Sequence, residues 1–393
     1  MVRAARRELA ELLSAKEMIV VCGSGGTGKT TIAAALGAQA AAVVGGRVLV
    51  LTVDPARRLA TALGIGSFGN TAVRVPAKAF AAAGLECRGE LWVAMLDTKA
   101  GWDELIRRHA PDAALRDTVL ANPLYRNITG RFVNSHDYLA MEQLYELHAS
   151  GQYDLVVIDT PPSRNALDLL DAPGRMREFF GSRLLKWLTV PYRSRLFTMA
   201  SKPFYQVADR ILGSRFLQDI AEFFVLFQTM EAGFVSHAKE VERLLTDDGT
   251  AFIVVSTLEA APAREARFLA EELRQRHMPL GALVLNRTLP VEVRQPAAAK
   301  AAGRLAEVAG NADLLADLAA TTGATADAVQ HVLTEVADRF RDVSVVAGRE
   351  AERRRELEAV VPLAAVVPTM ATDVHDLPGL LVIGQYLLGN GSR

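Results

Sequence analysis

Eight consecutive residues, Gly23 to Thr30, read Gly-Ser-Gly-Gly-Thr-Gly-Lys-Thr and fit the pattern G-x-x-x-x-G-K-[ST] at each fixed position. Glycines in this pattern let backbone N–H groups curl around a phosphate, because a Cβ would oppose the required φ values. In such a loop Lys29 reaches the β- and γ-phosphates, and the Thr30 hydroxyl binds Mg²⁺. The sequence therefore predicts a binding site for a nucleotide and Mg²⁺.

The segments on either side of this loop support that interpretation. The apolar run Met18–Cys22 before it indicates a buried strand, and the uncharged, Ala-rich segment Thr30–Val44 after it indicates a helix. A strand, a glycine turn and a helix N-terminus together direct backbone N–H groups at an anion.

Two other predicted strands end in an acid. The run Leu155–Ile158 leads into Asp159, the position at which a P-loop enzyme places the carboxylate that orients Mg²⁺ and its waters. The run Val48–Val53 leads into Asp54, at the carboxyl edge where ligands bind in open α/β sheets. Two roles are open for Asp54: it positions or deprotonates the attacking water, or it caps the helix that begins at Pro55.

Short apolar runs alternate with helical patterns along the chain, which predicts an α/β fold with a doubly wound, mostly parallel P-loop NTPase sheet. We interpret residues 1–393 as a single P-loop ATPase domain with helical insertions at 101–150, 172–247 and 313–360. The predicted strands are Met18–Cys22, Val48–Val53, Leu91–Leu96, Leu155–Ile158, Ala251–Ser256, Ala282–Leu285 and Ala364–Val367.

Composition narrows the function classes. The formal net charge of −1 gives no indication that the chain binds nucleic acid. Two cysteines, Cys22 and Cys87, cannot supply a disulfide framework or a multi-cysteine metal site within one chain. The N-terminus lacks the apolar region of a signal peptide, and no segment qualifies as a membrane span. The expected location is cytoplasmic, with peripheral membrane contact left open.

These motifs, in this order, resemble those of the deviant Walker ATPases, and more narrowly those of the family of the arsenite-pump ATPase and the tail-anchored-protein targeting ATPase. In that family the first switch reads Thr-x-Asp-Pro-Ala, which matches Thr52–Ala56, and its Asp orients the hydrolytic water. The resemblance thus implies ATP hydrolysis with Asp54 and Lys29 as catalytic groups, and Thr30 and Asp159 as ligands of Mg²⁺.

The second switch and the loop depart from the family pattern. The family's Asp-Thr-Ala-Pro-Thr-Gly-His-Thr is here Asp159-Thr-Pro-Pro-Ser-Arg-Asn-Ala166. The family's first loop lysine, which reaches the partner's nucleotide across a dimer, is here Ser24. Three explanations are open: a heterodimer whose other chain supplies the lysine, substitution by an arginine such as Arg57 or Arg164, and slow or absent hydrolysis.

Two more elements match the family by position. The family places an Asn that reads adenine where this chain has Asn286-Arg287, and packs backbone on the base where this chain has Pro368. The guanine signature is absent, so ATP is favoured over GTP. The predicted nucleotide-binding residues are Gly23, Ser24, Gly25, Gly26, Thr27, Gly28, Lys29, Thr30, Thr31, Asn286, Arg287 and Pro368.

Residues 172–234 hold nine of the 15 phenylalanines. Three interpretations are open: a helical subdomain that buries its own faces against the sheet, an apolar groove for the transmembrane helix of a client, as in the targeting members of the family, and docking on a membrane protein or a membrane surface. No zinc is expected, since neither cysteine has a partner at Cys-x-x-Cys spacing.

The favoured function is a dimeric, Mg·ATP-dependent switch with slow hydrolysis that handles a membrane protein or other hydrophobic client. Its partners are ATP and a second subunit, in a homodimer or in a heterodimer with a related ATPase. The alternative is a regulatory or scaffold subunit that binds ATP with little turnover and works beside an active relative.

Overall fold

A computed structural model describes residues 2–52, 63, 71–95, 103–104, 106–108, 110, 112–122, 125, 135–161, 163–181, 223–225 and 228–388. Eight strands form one sheet in the order β3-β4-β2-β5-β1-β6-β7-β8, and each neighbouring pair is parallel except β3–β4. The strands are β1 (Met18–Cys22), β2 (Arg47–Thr52), β3 (Val73–Arg74), β4 (Glu90–Met95), β5 (Leu155–Asp159), β6 (Thr250–Ser256), β7 (Leu280–Thr288) and β8 (Leu363–Pro368).

Helices cover both faces of this sheet, so the predicted doubly wound α/β fold is confirmed. They are α1 (Val2–Ala15), α2 (Lys29–Gln39), α3 (Ala77–Ala82), α4 (Ala113–Ala121), α5 (Ser135–Ala149), α6 (Ser163–Gly181), α7 (Glu231–Thr246), α8 (Ala260–Gln275), α9 (Pro296–Ala309), α10 (Ala312–Thr322), α11 (Ala326–Glu358) and α12 (Leu377–Leu388).

Successive side chains of β1 point to opposite faces of the sheet, so the strand contributes to the helical layer on each face. Ile19 and Val21 point into a core shared with α1, α2 and α12, whereas Met18, Val20 and Cys22 point into a core shared with α5, α7 and α8. All five residues are at most 1% exposed. A strand buried on both faces reads as a continuous apolar run, and this pattern is why β1 was predictable to the residue.

The observed elements differ from the predicted ones at several ends. The helix after the loop becomes a π-helical turn at Ala40–Val44, and β2 begins at Arg47 and β4 at Glu90, one residue earlier than predicted. β3 was not predicted, because two residues in antiparallel pairing with β4 give no sequence pattern. The division into one domain with three insertions stays a prediction.

A helical hairpin built from α9, α10 and α11 connects β7 to β8. α11 is 33 residues long, and α9 packs along it, with the amide of Gln330 donating to the carbonyl of Ala309 at 3.0 Å. The C-terminal part of α11 is hydrogen-bonded to the residues just after two strands. Glu350 accepts from the Leu289 N–H at 3.2 Å, just after β7, and Arg353 donates to the Leu258 carbonyl at 2.8 Å, just after β6.

Candidate phosphate-binding site

The loop between β1 and α2 has the backbone shape that phosphate binding requires. Gly23, Gly26 and Gly28 have φ values of 154°, 79° and 88°, and α2 begins at Lys29, directly after Gly28. β1 is the fifth of eight strands across the sheet, so the loop lies at the middle of its carboxyl edge. Positive φ at these positions turns the chain over the N-terminus of α2, where free N–H groups favour an anion.

Packing imposes glycine at two of these positions independently of any ligand. A Cβ on Gly23 would lie less than 3.0 Å from the carbonyl oxygen of Val255 in β6. A Cβ on Gly28 would lie less than 3.0 Å from Nδ2 of Asn286 at the end of β7. Around Gly26 no described heavy atom would lie within 4 Å of a Cβ, so only its φ of 79° favours glycine there.

Lys29 folds back over the loop. Its Nζ donates to the carbonyl of Ser24 at 3.0 Å, and the Thr27 hydroxyl donates to the same oxygen at 2.9 Å. The Lys29 side chain is buried, at 7% exposure, so its charge is concentrated at the loop rather than in solvent. A cation held at a set of free backbone N–H groups is suited to bind phosphate oxygens.

The Ser24 side chain is buried, at 5% exposure, and within the described part of the chain its hydroxyl has no hydrogen-bond partner. A buried hydroxyl without a partner costs free energy, and a ligand oxygen in the loop would offset that cost. Burial also means that position 24 does not project outward from the loop.

Asp159 lies beside β1, at the end of β5. Its Oδ2 accepts a hydrogen bond of 3.0 Å from the Thr52 hydroxyl, and the two residues are register partners at the ends of β5 and β2. The carboxylate is 1% exposed. Thr160 ties the next residue to β1, because both its N–H and its hydroxyl donate to the carbonyl of Val21.

Asn286, predicted to read adenine, and Arg287, predicted to bind the nucleotide, contact the loop in the structure. Nδ2 of Asn286 donates to the Thr27 carbonyl at 2.8 Å, and the Arg287 guanidinium donates to the Gly26 carbonyl at 3.2 Å. A bulge between Leu285 and Thr288, with Arg287 at a φ of 53°, buries Asn286 and exposes Arg287. Pro368 is the last residue of β8, opposite Thr288, rather than the residue after the strand.

The local electrostatics favour a neutral Cys22 thiol. Burial raises the pKa of the Cys22 thiol to about 12, and the positive charge of Lys29 opposes that rise in part. The thiol contacts the Ile253 carbonyl at 3.6 Å in the middle of the sheet. Cys22 is therefore a small core residue with an unreactive thiol.

The donors near the loop fit Mg²⁺ bound together with a nucleotide. In the described ranges no group of three or more His, Cys, Asp or Glu side chains is placed to hold a metal. Mg²⁺ needs no such cage, since it keeps several waters and takes one or two protein oxygens plus phosphate oxygens. The Thr30 hydroxyl, half-buried at the first turn of α2, and the Asp159 carboxylate are oxygen donors of this kind.

Several predicted positions remain without a described environment. Asp54, together with Arg57, falls outside the described residues, and so does Pro162. The backbone of Arg164 lies in α6, but its side chain is not described. Gly25 is exposed on the loop, and Thr31 is half-buried in α2.

Sequence reasoning missed the residues that hold the loop in place. Thr52 was predicted only as part of the first switch, not as a hydrogen-bond donor to Asp159. The bonds from Thr160 to the Val21 carbonyl and from Arg287 to the Gly26 carbonyl were not predicted either. Their signal was weak but present: each lies within one residue of the carboxyl end of a strand, Thr52 in β2, Thr160 after β5 and Arg287 in β7.

The sequence matches the anion-transporting ATPase family over residues 16–307. That range begins before β1 and ends within α9, so it includes the loop and every described contact around it. The chain belongs to the anion-transporting ATPase family. The resemblance predicted from the three motifs is thereby confirmed at the level of this family.

Three curated proteins similar to this member of the anion-transporting ATPase family come from Mycobacterium tuberculosis, Mycobacterium bovis and Streptomyces coelicolor. ATPase BagA of Mycobacterium tuberculosis is 25% identical over 405 residues, covering 97% of this chain and 95% of the relative. A putative ATPase of Mycobacterium bovis aligns with the same identity and coverage. An uncharacterized protein of Streptomyces coelicolor is 29% identical over 290 residues, which are 74% of this chain and 66% of that protein's length.

The described helices also bear on the prediction that the chain handles a membrane protein or other hydrophobic client. None of them combines the length and apolarity that a membrane crossing requires. Part of the Phe-rich stretch forms a small core of its own, where Phe223, Met230 and Phe234 are 5%, 1% and 0% exposed. These three side chains are buried in a core that also includes Ile106 and Val119, and the choice between subdomain, groove and docking stays open for the stretch as a whole. The side chains of Phe179, Phe180 and Phe227 lie outside the described set.

Proposed function

We propose that this chain is a Mg·ATP-dependent switch that binds and hydrolyses ATP and works as a dimer on a hydrophobic client. The observation that carries the proposal is the loop at Gly23–Thr30, with Lys29 folded over it and a buried, unpartnered Ser24 hydroxyl inside it. Membership of the anion-transporting ATPase family supports the reaction. A cytoplasmic location is part of the same proposal.

Each residue has a stated role. The loop N–H groups and Lys29 bind the phosphates, and Lys29 stabilises the negative charge that develops during hydrolysis. The Thr30 hydroxyl and Asp159 hold Mg²⁺, and Thr52 keeps the Asp159 carboxylate oriented by its hydrogen bond. Bound Mg²⁺ neutralises charge on the β- and γ-phosphate oxygens. Asp54 orients the attacking water.

Asn286 links the base to the loop in this proposal. Its Nδ2 donates to the Thr27 carbonyl and its Oδ1 accepts from the Arg287 N–H, so one N–H of the amide is free to turn toward adenine. Arg287 and Pro368 flank that position from β7 and β8. The base therefore packs where the two strands end, and ATP is preferred over GTP.

Slow turnover follows from position 24. A buried serine supplies no positive charge to a nucleotide on another subunit, so stabilisation of the transition state across a dimer is missing from this chain. The same observation favours the second candidate function, an ATP-binding regulatory or scaffold subunit whose partner is an active relative. The two candidates differ in turnover by the isolated chain.

The test is Mg-dependent ATP turnover of the purified chain, with its mass in solution measured with and without ATP. Lys29→Ala should abolish ATP binding, and Asp54→Asn should retain binding while hydrolysis falls. Lys78→Ala, an exposed lysine in α3, is the matched control and should leave both unchanged. Unchanged ATP binding in Lys29→Ala would defeat the site assignment, and ATP binding without turnover would select the regulatory subunit.

A further inference from the structure

A cleft, named here the arginine cleft, lies between the N-terminal half of α8 and the C-terminal part of α11. It encloses about 280 Å³, which is close to the lower limit for small-molecule sites in proteins. Its charged lining consists of four arginines and two glutamates, Arg264, Arg267, Arg349, Arg353, Glu352 and Glu356. Four positive and two negative charges give this lining a net charge of +2, in a chain whose formal net charge is −1. The cleft is thus a local concentration of positive charge.

The floor of the arginine cleft is apolar and belongs to the core. Ala263 of α8 and Leu357 of α11 line the cleft, and both are buried in the same core cluster. At about 100° per residue, Arg267 lies about 40° around α8 from Ala263. Arg353 likewise lies about 40° around α11 from Leu357. Each helix therefore places an arginine directly beside the floor.

The two glutamates of α11 lie farther from the floor than its two arginines. Around this helix, Arg353 and Arg349 lie about 40° and 80° from Leu357. Glu356 and Glu352 lie about 100° and 140° from Leu357 in the same direction. The helix positions therefore put guanidinium groups next to the floor and carboxylates toward the opening of the cleft.

The protein neutralises little of the positive charge in the arginine cleft. Among the described residues, no carboxylate lies within 4.0 Å of the guanidinium groups of Arg264, Arg349 or Arg353. Arg267 pairs with Glu271 at 3.0 Å. Guanidinium groups that converge without carboxylate partners repel one another, and an anion bound between the two helices would remove that repulsion.

Arg353 is held in position beside the floor. Its guanidinium donates to the Leu258 carbonyl at 2.8 Å, just before α8 begins, and its other N–H groups have no acceptor among the described residues. A guanidinium presents its N–H groups as a planar fork that binds carboxylate or phosphate oxygens in pairs. We propose that the arginine cleft is a binding site for a small polyanion that carries two or more phosphate or carboxylate groups.

This proposal goes beyond the nucleotide site and does not depend on it. α8 lies inside the range of the family match, residues 16–307, and α11 lies beyond it, so membership of the family assigns no role to the cleft. The volume favours a small molecule over a helix of another protein, because a helix is about 10 Å across and fills far more space even over two turns.

The test is isothermal titration calorimetry of the full-length Lys29→Ala variant with pyrophosphate and, separately, with citrate, in the absence of Mg²⁺. The substitution weakens phosphate binding at the Gly23–Thr30 loop, so that the heat reports on the cleft. We expect one anion to bind per chain, with an affinity that falls as salt is raised. Binding of pyrophosphate alone would assign phosphate groups to the ligand, binding of citrate alone would assign carboxylates, and binding of both would support their shared chemistry.

Substitutions separate the arginine cleft from general attraction to positive charge. Arg264→Gln with Arg349→Gln should weaken anion binding by about tenfold or more, because two charged donors without carboxylate partners are lost. Arg304→Gln with Arg355→Gln is the matched control, since it removes the same charge from exposed arginines outside the cleft, and it should stay within about twofold. Glu352→Gln with Glu356→Gln should tighten binding severalfold, because it removes negative charge from the opening.

Three outcomes would overturn the proposal: no binding of either anion, equal losses from the cleft and control variants, or weaker binding after the two glutamates are replaced. Binding of a pentaglutamate peptide but of neither small anion would also overturn it, and would assign the cleft to an acidic segment of a protein. Circular dichroism of each variant confirms that the protein is still folded before affinities are compared.

Discussion

Gly28→Ala, combined with Asn286→Ala, tests how the loop is held. In the wild-type protein the Asn286 amide donates to the Thr27 carbonyl, and a Cβ at position 28 would displace that amide. Gly28→Ala should therefore cost about 1–2 kcal/mol of backbone strain at a φ of 88° plus about 1–3 kcal/mol for the lost buried hydrogen bond. Asn286→Ala should cost about 1–3 kcal/mol for the hydrogen bond alone.

The two changes remove the same hydrogen bond, so their costs should not add. We expect the double variant to be more stable than the sum of the single variants predicts by about 1–3 kcal/mol, the value of the shared bond. The measurement is urea unfolding without nucleotide, followed by tryptophan fluorescence.

Gly26→Ala is the matched control, since its φ is 79° but no described heavy atom would lie within 4 Å of the new Cβ. Gly26→Ala should cost only the strain of about 1–2 kcal/mol, and it should add to Asn286→Ala. Additive costs for Gly28→Ala with Asn286→Ala would refute the contact between these residues.

Three further predictions concern the same core and site. Thr52→Val removes the hydroxyl that donates to Asp159, so the Mg²⁺ concentration for half-maximal turnover should rise severalfold while Mg-free ATP binding persists; titration of Mg²⁺ checks this, and an unchanged midpoint contradicts it. Folding raises the pKa of the Cys22 thiol from 9.0 to about 12. The thiol proton therefore contributes fully to the free energy of unfolding below pH 9, and this contribution is lost as pH rises from 9 toward 12. Alkaline unfolding of Cys22→Ala should accordingly show a shallower decline than wild type, and identical curves would remove Cys22 from the explanation. Phe223→Ser should lower the free energy of unfolding by about 3–5 kcal/mol because Phe223 is 5% exposed, whereas a folded variant of wild-type stability would show that the small core around it is dispensable.

The fold was predictable because its strands are buried on both faces. Runs such as Met18–Cys22 and Leu155–Ile158 are continuous in apolar residues, and each lies between segments of helical pattern. Strand ends were less predictable, since pairing continues past the last apolar residue. Pro368 shows this: a strand-ending proline was read as the residue after β8, but it still pairs with Thr288.

The loop was predictable as a pattern, but its surroundings were not. The glycines, Lys29 and Thr30 follow a fixed spacing, so the sequence alone specifies them. The contacts of Asn286 and Arg287 with the loop depend on a bulge in β7, which shifts the register by an amount that no residue type announces.

The positions at which α11 is bound to the sheet determine how a rotation of this helix would be transmitted. Glu350 and Arg353 bind α11 to the residues just after β7 and β6, and those strand ends adjoin Asn286 and Val255, the two residues that leave no room for a Cβ at Gly28 and Gly23. From Glu350 to Ala326 the helix extends about 36 Å. A rotation of about 5° at the fastening points displaces the far end by about 3 Å by simple geometry. Any rotation of α11 about these two contacts would therefore be larger at Ala326 than beside the loop, and paired distance labels near Ala326 would measure it.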